Sequence, residues 1–327
     1  MSKKRIALIT GGYSGESVIS YKSAKTIQDN LDPSKWESYW IDICKEGWFY
    51  VDEQGQKSLV DKNDFTITVS GNKIIFDAAL IALHGTPGED GKLQGYLDVI
   101  GLPYTSCDAT TSAITFNKRY TVAVASFSGI PVAKSIHIFK HSKIEASAIL
   151  QQLKLPLFVK PNNGGSSLGM SKVKEATDLN QALDKAFAED DQVLVEECIV
   201  GREFTIGVYK NKGEIIPLPI TEIITQQDFF NYEAKYLGES EEVTPANVSD
   251  HVAENIKSNA VKAYRAFNCS GVVRIDFIYQ EEQDAAYMLE INTVPGQSAA
   301  SIIPQQVRAA GMTLTSFYSM LLESCLP

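Results

Sequence analysis

Hydrophobic and polar positions alternate with a period of two near the end of this chain, and the polar half of the alternation is charged. In VVRIDFIY, Val273, Ile275, Phe277 and Tyr279 fall on one face of a strand, and Arg274 and Asp276 fall on the other. YMLEIN repeats the pattern, with Tyr287, Leu289 and Ile291 expected on one face and Glu290 and Asn292 on the other. The short polar link from Gln280 to Ala286 lets the two strands pair as antiparallel neighbours. One sheet face then gathers an arginine, two carboxylates and an amide. Desolvated charges are costly unless paired or metal-bound. The oxygens of Asp276, Glu290 and Asn292 are hard ligands of the kind that hold magnesium together with substrate phosphates; the alternative is a solvated outer face.

Upstream, a strand at Arg5 to Thr10 runs into a Gly-rich turn and then a helix, where Val18, Tyr21, Ala24, Ile27 and Leu31 recur at helical spacing. Strands at Ser38 to Ile43 and Ala79 to Leu83 continue an α/β alternation. This predicts an open, mostly parallel sheet with its ligand edge at the turns that follow the strands. A second unit holds LFVKP and GMSKV as strands around a Gly/Ser loop, then a helix bearing Leu179, Ala182, Leu183, Ala186 and Phe187 behind a Thr177 cap, then QVLVEECI as a strand. A third holds the charged strands, a helix over Val252 to Phe267 and a C-terminal helix from Thr313. The expected units are residues 1–117, 118–207 and 208–327. The polar stretch ITQQDFFNYEAKYLGESEEVTP has little periodicity and reads as a lid over about residues 222–245, or else as a disordered connector.

Composition narrows the class without naming a function. The 327 residues, 44% hydrophobic and 21% charged, are enough for several packed domains and do not indicate disorder. A net charge of −10 argues against a nucleic-acid surface, though not against a local basic pocket for phosphates. MSKKRIALITGG has too short an apolar run for a signal peptide or a membrane span, so a cytoplasmic protein with no membrane partner is expected. Five scattered cysteines without CxxC spacing fit thiols in a reducing compartment, and four scattered histidines do not suggest zinc.

Chemistry concentrates in VKPNNGGSSLGMSKV. Lys160 stands at a strand end, and Gly164, Gly165, Ser166, Ser167 and Gly169 follow in a loop able to present backbone N–H groups to an anion. No GK[ST] closes it, so it is not a P-loop. The same loop contains GSSLG, which fits a nucleophile elbow centred on Ser167. An elbow needs a helix after the turn and an acid and a histidine downstream, whereas an extended segment follows here and only His251 lies downstream. In VLVEECIVGREF, Glu196 and Glu203 flank a strand-to-turn transition, placed for a nucleobase amine and for ribose hydroxyls, or else simply solvated.

Taken in order, GGYSGESVIS, ALHGTPGEDGKLQG, the FNK at Phe116 to Lys118, VKPNNGGSSLGMSKV, EECIVGREFT, YEAKY, RIDF and LEINTVPGQSAASIIP resemble the ATP-grasp enzymes and, within them, the D-alanine:D-alanine ligase family. The resemblance spans nearly the whole chain. It implies a three-domain ATP-grasp architecture, an N-terminal open α/β domain with two α+β domains clasping ATP. It implies ATP with magnesium or manganese as two ions, D-alanine as substrate, and a cytoplasmic homodimer serving peptidoglycan precursor synthesis. It makes Lys118 and Lys160 ligands of the ATP phosphates, places Gly165 and Ser167 in the phosphate loop, and sets Glu196, Glu197, Glu203 and the backbone of Ile199 around adenosine. Lys235 would meet the γ-phosphate, and Asp276, Glu290 and Asn292 become the metal ligands. Glu16, with Ser166 and Tyr236, would receive the first D-alanine, and His84 would stand near its carboxyl end. Arg274 and the N–H of Gly296 would stabilise the tetrahedral oxyanion, and Ser301 with Ile302 would clamp the second substrate's carboxylate. Tyr236 would also bear on the choice between D-alanine and D-lactate. Glu197 stands where members often carry lysine. The alternative within the family is a D-alanine:D-lactate-type ligase or another ATP-grasp carboxylate–amine ligase, and a nucleotide-binding protein that has lost catalysis is a further class open to this sequence.

Overall fold

The computed structural model describes residues 3–142, 144–164, 168–225 and 240–326. The first sheet contains β1 (Lys4–Gly11), β2 (Trp36–Cys44), β3 (Gly47–Val51), β4 (Lys57–Leu59) and β7 (Ala78–Ile81), in the order β4-β3-β2-β1-β7. A separate small hairpin pairs β5 (Ile67–Val69) with β6 (Asn72–Ile74). β1 pairs in parallel with both β2 and β7, and Ile6, Ala7, Leu8 and Ile9 are fully buried, as both faces of a central parallel strand require. The parallel character holds at the centre of the sheet; β3 and β4 extend its edge as antiparallel strands.

Helix α1 (Ser17–Asn30) follows β1, as expected, but its inward face is rotated from the apolar stripe. Ser20, Ser23, Ala24 and Ile27 are buried, while Val18 is 56% exposed and Tyr21 36% exposed. The serines are inside because they have partners there: the backbone N–H of His84 donates to Ser20 Oγ at 2.9 Å, and Ser23 Oγ lies 3.2 Å from His84 Nε2. A polar face that is fully bonded can be buried. Helices α2 (Lys92–Ile100), α3 (Ala109–Phe116) and α4 (Lys118–Phe127) lead out of this unit.

The second sheet, in the order β10-β9-β11-β8, is antiparallel throughout: β8 (Ser135–Phe139), β9 (Leu157–Pro161), β10 (Ser171–Val173) and β11 (Gln192–Glu197). Leu157 and Val159 point into a core shared with α5 (Ala146–Leu150) and α6 (Leu179–Glu189), which leaves Lys160 on the opposite face. Thr177 does not cap α6. A short 3₁₀ turn over Ala176–Asp178 precedes the helix, and Thr177 Oγ1 donates instead to Asp178 Oδ1 at 3.2 Å.

The third sheet runs β15-β14-β12-β16-β17, with β13 also on β12. Its strands are β12 (Arg202–Asn211), β13 (Glu214–Pro217), β14 (Thr221–Thr225), β15 (Ser240–Val243), β16 (Val272–Gln280) and β17 (Ala285–Asn292). Helix α7 (Asp250–Ala266) buries Ile256, Ala260, Ala263 and Tyr264 against its core, together with Ala125 of α4. β12 therefore crosses the expected boundary at 207–208, and α4 packs Ala125 into the core of the third sheet while Arg119 at its start lies 5.5 Å from the Phe139 ring of β8. Helices α8 (Ile302–Ala309) and α9 (Leu314–Cys325) close the gap between units, since Ile303, Val307, Phe317 and Tyr318 share a core with Ile6 and Leu8 of β1. The ends of the expected lid are strands of this sheet: β14 and β15 pair antiparallel from Glu222 with Val243 to Thr225 with Ser240. No disulfide links the cysteines, and no helix among the described residues is long and apolar enough to cross a membrane.

Candidate active site at the meeting of the sheets

β16 and β17 pair antiparallel, with Arg274 opposite Asn292 and Asp276 opposite Glu290, so the four polar residues share one face. Val273, Ile275, Phe277 and Tyr279 are buried on the other. The register shifts between Asp276 and Phe277, where Phe277 pairs with Met288 and Leu289 is the extra residue. This bulge breaks the strict alternation expected of β17. Ala286, Met288 and Ile291 take the core face, Tyr287 does not join them, and Leu289 turns to the polar side, where it lines a cavity.

That cavity, about 340 Å³, brings together Glu16, His84, Lys118, Glu203, Arg274, Asp276, Glu290, Asn292, Gly296, Ser301 and Ile302. Arg274 donates from Nε and Nη2 to the two oxygens of Asp276, both at 2.9 Å, and its Nη2 lies 3.9 Å from Glu290 Oε1. Thr205 on the neighbouring β12 donates its hydroxyl to Asp276 Oδ1. Burial works against the Arg274 charge, yet the Asp276 carboxylate, its hydrogen bonds, Glu290 and Glu89 outweigh burial and hold the guanidinium above its ordinary pKa.

The N-terminal unit supplies the opposite wall. Glu16 is the first-turn cap residue of α1, and its carboxylate accepts from Ser14 Oγ at 3.4 Å. The loop before it comes close to the loop after β7: a Cβ on Gly12, at φ +119°, would stand 2.9 Å from the His84 carbonyl oxygen. His84 is buried, with Nε2 on Ser23 and Nδ1 3.7 Å from Glu89 Oε1. Ser23 Oγ also accepts the backbone N–H of Gln297 at 3.0 Å, which ties the C-terminal loop to this wall. Glu89 lines the cavity, and periodicity did not single it out, because it lies in a loop within ALHGTPGEDGKLQG where no alternation marks its direction.

Ser301 stands at the N-cap position of α8 without bonding its first turn, its hydroxyl lying 2.7 Å from Ser298 Oγ, which leaves that turn open to an anion. A Cβ at Gly296 would stand 2.8 Å from Ser301 Oγ, so the loop is built close around the serine. On the side of the second sheet, Lys118 Nζ donates to the carbonyl of Gly164 at 2.8 Å, at the entry to the Gly/Ser loop. Lys160 and Glu196, side chains 13% and 9% exposed, form an ion pair with each other on the face of the second sheet opposite its Leu157 and Val159 core. Glu197 makes a different connection. Strand alternation sends it to the face opposite Glu196, and its Oε1 accepts the backbone N–H of Lys154 at 2.9 Å. Ile199 follows in the turn after β11. Gly165, Ser166, Ser167, Lys235 and Tyr236 lie outside the described residues. Among the described residues, no three His, Cys, Asp or Glu side chains cluster as a metal site. The polar face of β16 and β17 offers two carboxylates and one amide, a set that needs further oxygens from a ligand to fill a magnesium shell.

An open α/β unit, two antiparallel α+β units and a charged cavity where they meet define the ATP-grasp class. The chain matches the D-ala D-ala ligase N-terminus family over residues 5–107 and the D-ala D-ala ligase C-terminus family over residues 124–323. The D-alanine–D-alanine ligase of Flavobacterium johnsoniae is 45% identical over 320 residues, 98% of each chain. The structure of D-alanyl-alanine synthetase A from Vibrio cholerae superposes with a TM-score of 0.88 at 29% identity, covering 99% of both chains. That of D-alanine–D-alanine ligase from Bacillus anthracis complexed with ATP gives 0.79 at 28% identity, over 98% of this chain and 97% of the other. The chain belongs to the D-alanine–D-alanine ligase family.

Proposed function

We propose that this protein joins two D-alanine molecules into D-alanyl-D-alanine, with ATP converted to ADP and phosphate. The observation that carries the reading is a single cavity lined by an α1 N-terminal carboxylate, a buried histidine, a helix N-terminus and the charged face of β16 and β17, in a chain related to D-alanine–D-alanine ligases over its full length.

A carboxylate does not condense with an amine in neutral water, so one D-alanine carboxylate first attacks the γ-phosphorus of ATP, and ADP leaves. The amine of a second D-alanine then attacks the acylphosphate carbon. The tetrahedral intermediate sheds phosphate, and the amine loses a proton. Glu16 receives the first substrate's ammonium, and His84, held by Ser23 and Glu89, faces its carboxyl end. Arg274 and the Gly296 N–H meet the oxyanion, a kind of contact whose loss costs about 3 to 4 kcal/mol per donor. Ser301 and the N–H of Ile302 hold the second carboxylate. Lys118 and Lys160 neutralise the ATP phosphates, while Glu196, Glu203 and the Ile199 backbone hold adenosine. Asp276, Glu290 and Asn292 are the residues that would hold magnesium or manganese, which would supply positive charge to neutralise the phosphates. The family resemblance also supports a cytoplasmic homodimer and a division near residue 117, with the second boundary set ahead of Arg202 so that β12 stays whole.

The test is to incubate the purified protein with ATP, magnesium and D-alanine and to quantify ADP and the dipeptide by mass spectrometry. Equal amounts of ADP and D-alanyl-D-alanine are expected. ADP release that is independent of D-alanine, with no dipeptide, would overturn the reading in favour of a nucleotide-binding protein.

A further inference from the structure

Two consecutive glutamines of α8 make different connections. Gln306 is fully buried and fills a gap in the third sheet, where the partner of β12 changes from β14, at Glu203 to Thr205, to β13, at Val208 to Asn211. Its Oε1 accepts the Gly207 N–H at 2.8 Å, and its Nε2 donates to Thr205 O and Thr221 Oγ1, both at 3.0 Å. A Cβ at Gly207 would stand 2.8 Å from that oxygen and 2.7 Å from Ile303 Cδ1, so the helix sits directly on the strand.

Gln305 reaches the other way. Its Nε2 donates both to Glu242 Oε2 on β15, at 2.7 Å, and to the carbonyl of Ala300, at 2.9 Å. Glu242 and Ala300 both line the cavity, and Ala300 directly precedes Ser301. One amide nitrogen thus ties a strand of the third sheet to the segment that leads into α8.

We infer that Glu242 and Gln305 form a latch that positions the Ser301–Ile302 segment for the carboxylate of the second D-alanine. The inference rests on the reading of Ser301 and Ile302 as that subsite. Glu242 orients the Gln305 amide so that its second hydrogen holds Ala300, and Ser301 is thereby set before substrate arrives. Both are positioning residues. The latch needs an acceptor at position 242 and not a charge, so an amide oxygen serves equally well.

Dipeptide formation over a wide range of D-alanine separates the half-saturation of the first site from that of the second. Trapping the acylphosphate with hydroxylamine reports the first half-reaction without a second D-alanine. Glu242→Ala and Gln305→Leu are each expected to raise the second-site constant about tenfold, since small misplacements at a reacting site are costly. The ATP constant and hydroxamate formation are expected to stay within about twofold of the parent. Glu242→Gln should behave as the parent does, and the double variant Glu242→Ala/Gln305→Leu should be no worse than either single change. Parallel loss of hydroxamate formation would overturn the latch in favour of general destabilisation, and a Glu242→Gln as poor as Glu242→Ala would overturn its hydrogen-bond basis. Ser301→Ala separates the two layers. If it leaves the second-site constant unmoved, the subsite reading fails; if it moves that constant and Glu242→Ala does not, the latch alone fails.

Discussion

Arg274 and Asp276, two residues apart on β16, face the same side of the sheet and meet in a two-point ion pair with both contacts at 2.9 Å. The proposed roles ask Asp276 to hold metal and Arg274 to meet an oxyanion, so each group must turn part of its bonding toward a ligand. Lysine at position 274 would keep the charge but lose the planar fork that grips both carboxylate oxygens. Arg274→Lys is expected to lower kcat by about 10² to 10³-fold, the range seen when one oxyanion donor is removed. The ATP half-saturation should move far less, and steady-state kinetics at saturating magnesium check both.

Glu290 is 41% exposed, and its contact with Arg274 is long, at 3.9 Å. Such a pair contributes about 0 to 1 kcal/mol to folding. Glu290→Gln should therefore leave the melting temperature nearly unchanged and abolish most ligation at ordinary magnesium. Calorimetry beside a magnesium titration of activity checks this, and near-normal turnover would remove Glu290 from the metal set.

Gln306→Leu is the opposite case. The leucine cannot bond the Gly207 N–H or the Thr205 carbonyl, and an unsatisfied buried backbone group costs about 1 to 3 kcal/mol. A clear fall in melting temperature is expected, larger than that of Gln305→Leu, whose amide is only half-buried.

His137 carries a pH signature. Burial, and then the charge of Arg119, push its pKa below the ordinary 6.5, against the weaker opposing pull of Gln192 and Asp190. A histidine that titrates lower when folded favours the neutral form in the native state. Its contribution is whole above the unfolded value near 6.5 and is lost as pH falls from there through the folded value. An NMR titration should give His137 a midpoint below 6.5, and His137→Gln should flatten part of the stability loss over that window.

What could be read from the sequence depended on whether geometry followed a fixed period. The polar face of β16 was legible because strict alternation holds from Arg274 through Tyr279. In β17 a single extra residue at Leu289 shifts the phase, and no composition signal announces a bulge, so Tyr287 and Leu289 were assigned to the wrong face. The stripe on α1 failed because the helix buries serines that bond His84, which only the folded loop after β7 reveals. The edge strands β3 and β4 went unread because their residues are half-buried or exposed and alternate weakly. Nothing in the sequence marked Gln306, since the gap it fills in β12 exists only once β13 and β14 have paired. The described site residues carried by the family resemblance in the third unit line one cavity, and the Glu197 side chain lies on the opposite face of its strand from Glu196.

The Lys160–Glu196 pair yields the sharpest separation of phosphate from base recognition. Both side chains are about a tenth exposed, at 13% and 9%, so neither charge is fully hydrated and each depends on the other. ATP would bring phosphates to Lys160 and an adenine amine to Glu196, so nucleotide binding replaces one internal pair with two ligand contacts. Glu196→Gln removes the counter-charge and leaves the ammonium seeking an anion. It should therefore weaken ATP, whose base loses a carboxylate acceptor, while inorganic tripolyphosphate, which has no base, should bind as well as before or better. Competition of tripolyphosphate against ATP in the parent and in Glu196→Gln measures this, with D-alanine half-saturation as the control expected to stay constant. If both ligands weaken together, Glu196 acts only by holding Lys160 in place, and its contact with adenine is withdrawn.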